Sequence, residues 1–170
     1  MSQNLEGEFV AWASARQRSW LRSALLLTGD QSSAEDLVQD AFLKVAERWS
    51  RLRDEAPDAY ARRVIYNGAM TRWRRHSREP SRAELPEVIA APTTEDWLSG
   101  ADVRAALQRL TVKQRAVLVL RYYEDRSEQE IAETLRVSAG TVKSQAHAAL
   151  RRLREELALE QESLDGEEIR

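Results

Sequence analysis

The chain has 170 residues, enough for one ordinary domain or two small ones, and 42% of them are hydrophobic against 32% charged. That balance allows a buried core under a strongly charged surface, as in soluble helical proteins, and argues against disorder throughout. The sequence has no cysteine, and its only two histidines are far apart, so disulfides and thiolate metal sites are excluded. We therefore expect no cofactor and no metal site.

The distribution of charge is more informative than its sum. The net charge of −2 combines basic segments at 62–78 and 134–154 with acidic segments at 83–103 and 155–170. No apolar run approaches the roughly 20 residues that span a bilayer, and the N-terminus lacks the basic start and apolar core of an export signal. We expect a cytoplasmic protein with no membrane insertion.

The first part of the chain is predicted to be helical because its apolar residues recur every three or four positions. Gly29 is placed to end the first helix as a C-terminal cap. Proline in the first turn of a helix is tolerated, so Pro57 can open the third. The predicted helices run from about Leu5 to Thr28, from a capping box at Ser32 and Glu35 to a buried stripe ending at Trp49, and from Pro57 to about His76.

A stretch rich in proline and acidic residues follows, and its lack of periodicity predicts an extended linker over residues 80–101. A second helical domain is predicted from residue 102. Capping boxes begin helices at TVKQ and at SEQE. The last helix is predicted to start near Thr141 and to fray in the acidic tail. The fold class is thus all-α, with two small helical domains.

Residues 127–157 contain two capped helices joined by a short turn, which is a helix-turn-helix pattern. In such a unit the N-terminal side chains of the second helix reach base edges in the DNA major groove. A helical hairpin used only for packing is the alternative, with its arginines serving solubility. The residues we assign to duplex DNA are Thr141, Lys143, Ser144, Gln145 and His147 near the helix start, and Arg151 and Arg152 for phosphate.

The third predicted helix has an unusual outer face. Ala61, Val64, Ile65, Ala69 and Trp73 are predicted to form its buried side. The opposite side combines guanidinium groups, an aromatic ring for stacking and an amide that can read a base edge, a mixture suited to single-stranded nucleic acid. A solvated face neutralised by acidic segments remains an equally good interpretation. The residues of this outer face are Arg62, Arg63, Tyr66, Asn67, Met70 and Arg74.

Three motifs resemble bacterial RNA polymerase sigma factors of the extracytoplasmic function group. AEDLVQDAFLKV is similar to the segment of the family's second region that binds the clamp helices of the largest polymerase subunit. PDAYARRVIYN with RWRRHSRE resembles the promoter-melting segment, and LTVKQRAVLVLRYYEDRSEQEIAETLRVSAGTVKS is similar to the fourth region. Their order, with an acidic linker between them, makes the combined resemblance strongly specific.

The resemblance implies a division of labour along the chain. Residues 1–79 would form region 2, residues 102–158 the region 4 helix-turn-helix, and residues 159–170 an acidic tail. Asn67 matches the asparagine that holds a flipped base of the minus-ten element, with the loop near 51–56 completing its pocket. The fourth region would read the minus-thirty-five duplex beside the flap of the second large subunit. The polymerase-binding residues would be Asp36, Gln39, Asp40 and Leu43.

The resemblance also implies partners, while the residues leave two other hypotheses to consider. The partners would be the polymerase core, promoter DNA in duplex and single-stranded form, and an anti-sigma factor as a further candidate. A dimeric helix-turn-helix regulator that is not a polymerase subunit is the main alternative. An enzyme is the third hypothesis, since Asp36 and Asp40 could bind a metal, but no phosphate loop or nucleophile motif supports it. The favoured interpretation is a sigma factor that performs no covalent chemistry.

Overall fold

The computed structural model describes residues 3–76 and 101–168, with side chains described from 3 to 76 and from 103 to 159. The predicted linker at 80–101 lies outside these residues except for its last position, where a helix begins. The chain divides into two compact units, within residues 1–85 and 86–170. The helices are α1 (Gln3–Thr28), α2 (Gln31–Ala46), α3 (Trp49–Leu52), α4 (Pro57–His76), α5 (Ala101–Gln108), α6 (Val112–Leu118), α7 (Glu128–Leu135) and α8 (Ala139–Glu168).

In the first unit, α1, α2 and α4 pack on one another around an aromatic cluster. The ring of Trp12 lies 5.4 Å from that of Trp20 and 5.2 Å from that of Trp49. Phe9 and Phe42 complete the cluster, at 5.5 Å from Trp49 and 5.8 Å from Trp20. Aromatic pairs at these separations stabilise a core beyond the area that they bury. These contacts join α1 to both α2 and α3.

The start of α2 differs from the prediction. Its N-cap is Asp30, whose Oδ2 accepts a hydrogen bond from the Ser33 backbone at 2.8 Å, so the predicted capping box at Ser32 and Glu35 is wrong. The hydrogen bonds to Ser33 lower the pKa of the Asp30 carboxyl. The cap follows directly from Gly29, whose φ of 73° ends α1 as predicted. A two-residue connection therefore joins α1 to α2.

The two other predicted helix limits in this unit have different outcomes. The stripe of α2 was expected to continue to Trp49, but α2 ends at Ala46 and Trp49 begins the separate α3, where it is 4% exposed. The third predicted helix corresponds to α4, which spans Pro57–His76 as predicted. After this break the Trp49 ring lies in the aromatic cluster, against Phe9 and Trp12.

In the second unit, α8 packs against α5, α6 and α7. Both predicted capping boxes are present, with Thr111 bonded to Gln114 and Ser127 bonded to Glu130. A π-helical turn at Val119–Tyr123 follows α6 and was not predicted. The last helix begins at Ala139, before the predicted Thr141. Its helical backbone continues to Glu168, through most of the acidic tail.

Arg115 is an unusual member of this second core. It is 7% exposed, and its Nη1 donates a hydrogen bond to Gln108 Oε1. Burial lowers the pKa of its guanidinium to about 10, because an apolar surrounding disfavours the charged form. The sequence predicted a helix here from its capping box, but it contained no signal that this charged residue faces inward.

Candidate nucleic-acid interface

The outer side of α4 presents two arginines and an amide. Arg63 and Arg74 are exposed and Asn67 is half-buried, as is Met70 beside them. Positions separated by four and seven residues share one face of an α-helix, so 63, 67, 70 and 74 form a continuous row. The opposite side is buried at Ala61, where α4 packs on the rest of the unit. Thus α4 is amphipathic in charge as well as in hydropathy.

Two aromatic residues of α4, Tyr66 and Trp73, exchange their predicted places. Tyr66, expected on the outer face, is 1% exposed, and Trp73, expected in the core, is 47% exposed. Tyr66 follows buried Ile65 and precedes buried Ala69 by three positions, so it borders the apolar stripe, and its large ring is accommodated inside. Its assignment as a ring that stacks on DNA is therefore wrong in this structure. Trp73 lies in the last turn of α4, where its ring is left at the surface.

Arg62 occupies the flank between these two sides and is half-buried. It belongs to the basic set of α4, but its position on the helix lies about 100° from Arg63, outside the row of Arg63, Asn67 and Arg74. Of the five predicted minus-ten residues, two are exposed, two are half-buried and one is in the core.

The start of α4 is fixed to α1 through Asp58. Its Oδ1 accepts hydrogen bonds from Trp12 Nε1 at 2.7 Å and from Arg16 Nε at 2.5 Å. The Arg16 guanidinium also lies 5.4 Å from the Trp12 ring centroid, within the range of a cation–π contact. The two hydrogen bonds to Asp58 are charge-assisted and join residues more than 40 positions apart in sequence. They set the position at which α4 leaves the core.

The loop between α3 and α4, predicted to complete a base pocket, is bonded to α1. Arg53 Nη1 donates to Glu8 Oε2 of α1 at 2.6 Å, and this bond raises the pKa of Arg53. Before α3, the Arg48 guanidinium lies 5.7 Å from the Tyr60 ring of α4. The two ends of α3 are therefore linked to α1 and to the helix that carries Asn67.

The outer face of α2 contains the four residues predicted to bind polymerase. Leu43 is 65% exposed, and Gln39 is also exposed. Asp40 Oδ2 accepts from Lys44 Nζ at 2.9 Å within the same helix. Asp36 Oδ2 is 2.9 Å from Arg72 Nη2 of α4, so its carboxylate already has a partner in the neighbouring helix. The four residues share a face, but their surroundings differ.

The helix-turn-helix is formed by α7 and α8. Arg136 ends α7 in the left-handed region with φ of 55°, and Ser138 Oγ accepts from the Thr141 backbone at 3.1 Å, capping α8. Lys143, Ser144 and His147 are exposed in the first turns of α8, while Thr141 and Gln145 are half-buried. Buried Val142 and Ala146 hold the helix on the domain. The expected basic and polar residues therefore lie at the exposed start of α8.

Further along α8, the two arginines assigned to phosphate differ. Arg151 is exposed, whereas Arg152 Nε donates to Glu156 Oε1 at 3.2 Å. Glu156 also accepts from Arg109 at 3.3 Å, and its side chain is only 12% exposed. Glu156 was not among the predicted residues, although its spacing of four from Arg152 is a signal for an intrahelical pair.

Neither a metal centre nor a membrane span is found in the described part of the chain. No cluster of three or more histidine, aspartate or glutamate side chains that could hold a metal occurs within 3–76 and 101–168. In the same residues no helix is long and apolar enough to cross a bilayer.

Two family models match the chain, Sigma-70 region 2 over residues 10–79 and Sigma-70 region 4 over residues 101–153. The chain belongs to the RNA polymerase sigma factors, in the extracytoplasmic function group. It is 42% identical to the RNA polymerase sigma-E factor of Streptomyces coelicolor over 166 residues, covering 95% of this chain and 94% of the relative. It is 32% identical to the sigma factor SigL of Mycobacterium tuberculosis strain H37Rv, covering 78% of this chain and 79% of the relative.

Solved structures agree on the fold. The sigma factor RpoE of Bartonella quintana, in complex with the anti-sigma factor NepR, aligns with a TM-score of 0.68 at 24% identity, covering 92% of this chain and 98% of that one. CnrH, in complex with the cytosolic domain of CnrY, aligns with a TM-score of 0.63 at 23% identity, covering 91% and 90%.

The function follows from the family. The chain is a transcription initiation factor that binds the RNA polymerase core and directs it to promoter DNA. The alternative of a dimeric regulator outside the polymerase is wrong, because both sigma regions match and the full-length relatives are sigma factors.

Proposed function

We propose that the first domain docks on the clamp helices of the largest polymerase subunit through Gln39, Asp40 and Leu43. Protein interfaces combine an apolar centre with a polar rim, and the outer face of α2 has both. Leu43 supplies the apolar centre, since 65% of it is accessible before any partner binds. Its burial on polymerase would remove apolar surface from water.

The same domain opens the promoter with the outer side of α4. The observation that carries this proposal is the row of two exposed arginines, Arg63 and Arg74, with the half-buried Asn67 between them, opposite a buried side. Guanidinium groups bind phosphates with directional, charge-assisted hydrogen bonds, and the Asn67 amide can donate to and accept from the edge of an unpaired base. Capturing a base that has left the stack offsets an unstacking cost of a few kcal/mol. Arg62 adds positive charge from the flank.

The second domain reads the minus-thirty-five duplex beside the flap of the second large subunit. The exposed start of α8 enters the major groove, where each base pair presents a distinct pattern of donors and acceptors. To contact a phosphate through Nε, Arg152 would have to give up its hydrogen bond to Glu156. The residues proposed to contact the duplex are Thr141, Lys143, Ser144, Gln145 and His147, with Arg151 and Arg152 at the backbone.

The chain itself performs no covalent chemistry, because the polymerase supplies the catalytic step. Its site of action is promoter DNA, which places it in the bacterial cytoplasm. An anti-sigma protein is a further candidate partner, since solved relatives of this fold are named as complexes with such factors. The proposed domains are region 2 at 1–79, a linker at 80–101, region 4 at 102–158 and an acidic tail at 159–170.

The test replaces Asn67 by alanine and, as a matched control, the exposed Asn4 of α1 by alanine. Each chain is mixed with sigma-free bacterial core polymerase on a promoter that the wild-type chain opens. We expect Asn67→Ala to bind core as the wild type does but to lower permanganate reactivity of the unpaired minus-ten thymines. Asn4→Ala should match the wild type in both measurements.

Equal opening by Asn67→Ala and the wild type would contradict the proposed role of α4. Failure of the wild-type chain to bind core would contradict the polymerase-binding surface on α2. Thermal unfolding of both variants shows whether either substitution acts through the fold.

A further inference from the structure

Arg72 links the two functional helices of the first domain. Its Nη2 donates to Asp36 Oδ2 of α2 at 2.9 Å, and its Nη1 donates to the Ser33 carbonyl at 3.4 Å. The positive charge of Arg72 also helps to lower the pKa of Asp30, the N-cap of α2. One guanidinium of α4 thus lies across the first two turns of α2.

A second contact between α2 and α4 lies one helical turn away. At Gly68 the two helices approach so closely that an added Cβ would lie 2.7 Å from Leu37 Cδ2. Gly68 and Arg72 are four residues apart and therefore lie on the same side of α4. Two fixed points along one side restrict both rotation of α4 about its axis and sliding along α2.

Asn67 precedes Gly68 in the chain and projects about 100° around the axis of α4 from it, away from the contact with α2. Any rotation of α4 that the Arg72 contact prevents would therefore move the Asn67 amide. A small displacement matters for base capture, because a hydrogen bond weakens steeply away from its preferred distance and angle. The pairing of Asp36 and Arg72 is well placed to control this displacement.

We infer that Asp36 and Arg72 are a positioning pair for promoter opening, and that Asp36 acts through Arg72 rather than by touching RNA polymerase. This inference rests on the proposed role of α4 in opening the minus-ten element. It separates Asp36 from Gln39, Asp40 and Leu43, with which it shares a helix face. The side chains of Asp36 and Arg72 are 57% and 38% exposed, so the pair can be altered without opening the core.

The test uses full-length chains carrying Asp36→Arg, Arg72→Asp or both substitutions, assembled with core polymerase. An exposed ion pair changes an equilibrium by up to about fivefold, and reversing one charge adds repulsion between like charges. We expect each single variant to reduce minus-ten opening about fivefold or more at saturating core. The affinity of each variant for core should stay within about twofold of wild type. The double exchange should restore opening.

A matched control is the ion pair of Asp40 and Lys44, which has the same distance of 2.9 Å but lies within α2. If Asp40 contacts polymerase, Asp40→Lys should weaken core binding, and adding Lys44→Asp should not restore it. Unchanged core binding by Asp40→Lys would contradict the proposed polymerase surface. The Asp36 and Arg72 variants would still test the positioning pair, because their readout is promoter opening.

Two results would overturn the positioning pair. One is a loss of core affinity in Asp36→Arg that the double exchange does not recover. The other is failure of the double exchange to restore opening while its thermal unfolding matches the wild type. Should either charge reversal prevent folding, Asp36→Asn and Arg72→Gln remove the ion pair with less perturbation. Each of those two variants should then reduce opening with core affinity unchanged, and opening at the wild-type level in both would contradict the inference.

Discussion

The exposed leucine of α2 offers a direct test of the polymerase-binding surface. Leu43 is 65% exposed, and complete burial of a leucine side chain is worth about 1.5–3 kcal/mol. About two thirds of that remains to be gained on binding, which amounts to about 1–2 kcal/mol. Replacement by alanine should therefore weaken core binding by about 5- to 30-fold, since 1.4 kcal/mol corresponds to tenfold.

The chain contains a matched control for this substitution. Leu159 of α8 is 60% exposed, so Leu159→Ala removes the same side chain from a similarly accessible position in the other unit. The free energy of unfolding of both variants should lie within about 0.5 kcal/mol of the wild-type value, because neither side chain is in a core. Fluorescence anisotropy of labelled chains titrated with core polymerase gives the affinities. Equal affinities for wild type and Leu43→Ala, or equal losses in both variants, would refute the reasoning.

Three other substitutions test DNA reading and stability. Lys143→Ala should relax discrimination at one minus-thirty-five base pair by about 1–3 kcal/mol in holoenzyme binding to promoter variants, whereas Lys113→Ala, equally exposed on α6, should not. Asp30→Ala should lower the free energy of unfolding by about 0.5–2 kcal/mol at neutral pH, with Asp30→Asn much milder. Because the folded-state pKa of Asp30 lies below its ordinary 3.8, the advantage of Asp30 over Asp30→Asn should disappear as pH falls through that lowered pKa in urea titrations. Gly68→Ala should destabilise the fold by about 1–2 kcal/mol, since overpacking against a buried leucine of α2 outweighs better helix propensity. Gly7→Ala, with open space at its Cβ, should instead stabilise by about 0.5–1 kcal/mol in the same thermal unfolding series.

The parts of the site that could be predicted are those set by helical spacing. Arg63, Asn67 and Arg74 share the exposed side of α4 because their separations match its period, and Leu43 is exposed for the same reason. Spacing alone could not assign Tyr66, which lies at the edge of the apolar stripe. Its burial depends on which neighbouring helix runs beside that edge and how much room it leaves for the ring.

Sequence alone determined the features whose partners lie within one helical turn. The capping boxes at Thr111 and Ser127 and the end of α1 at Gly29 follow from bonds or backbone angles set by nearby residues. The tertiary structure decided which charged groups meet. Arg72 reaches Asp36 across 36 positions and Arg109 reaches Glu156 across 47, and no periodicity within a single helix specifies such pairs. These pairs depend on the packing of the apolar faces, which sets the positions of the helices. The long side chains at the borders of those faces then lie within reach of an opposite charge on the neighbouring helix.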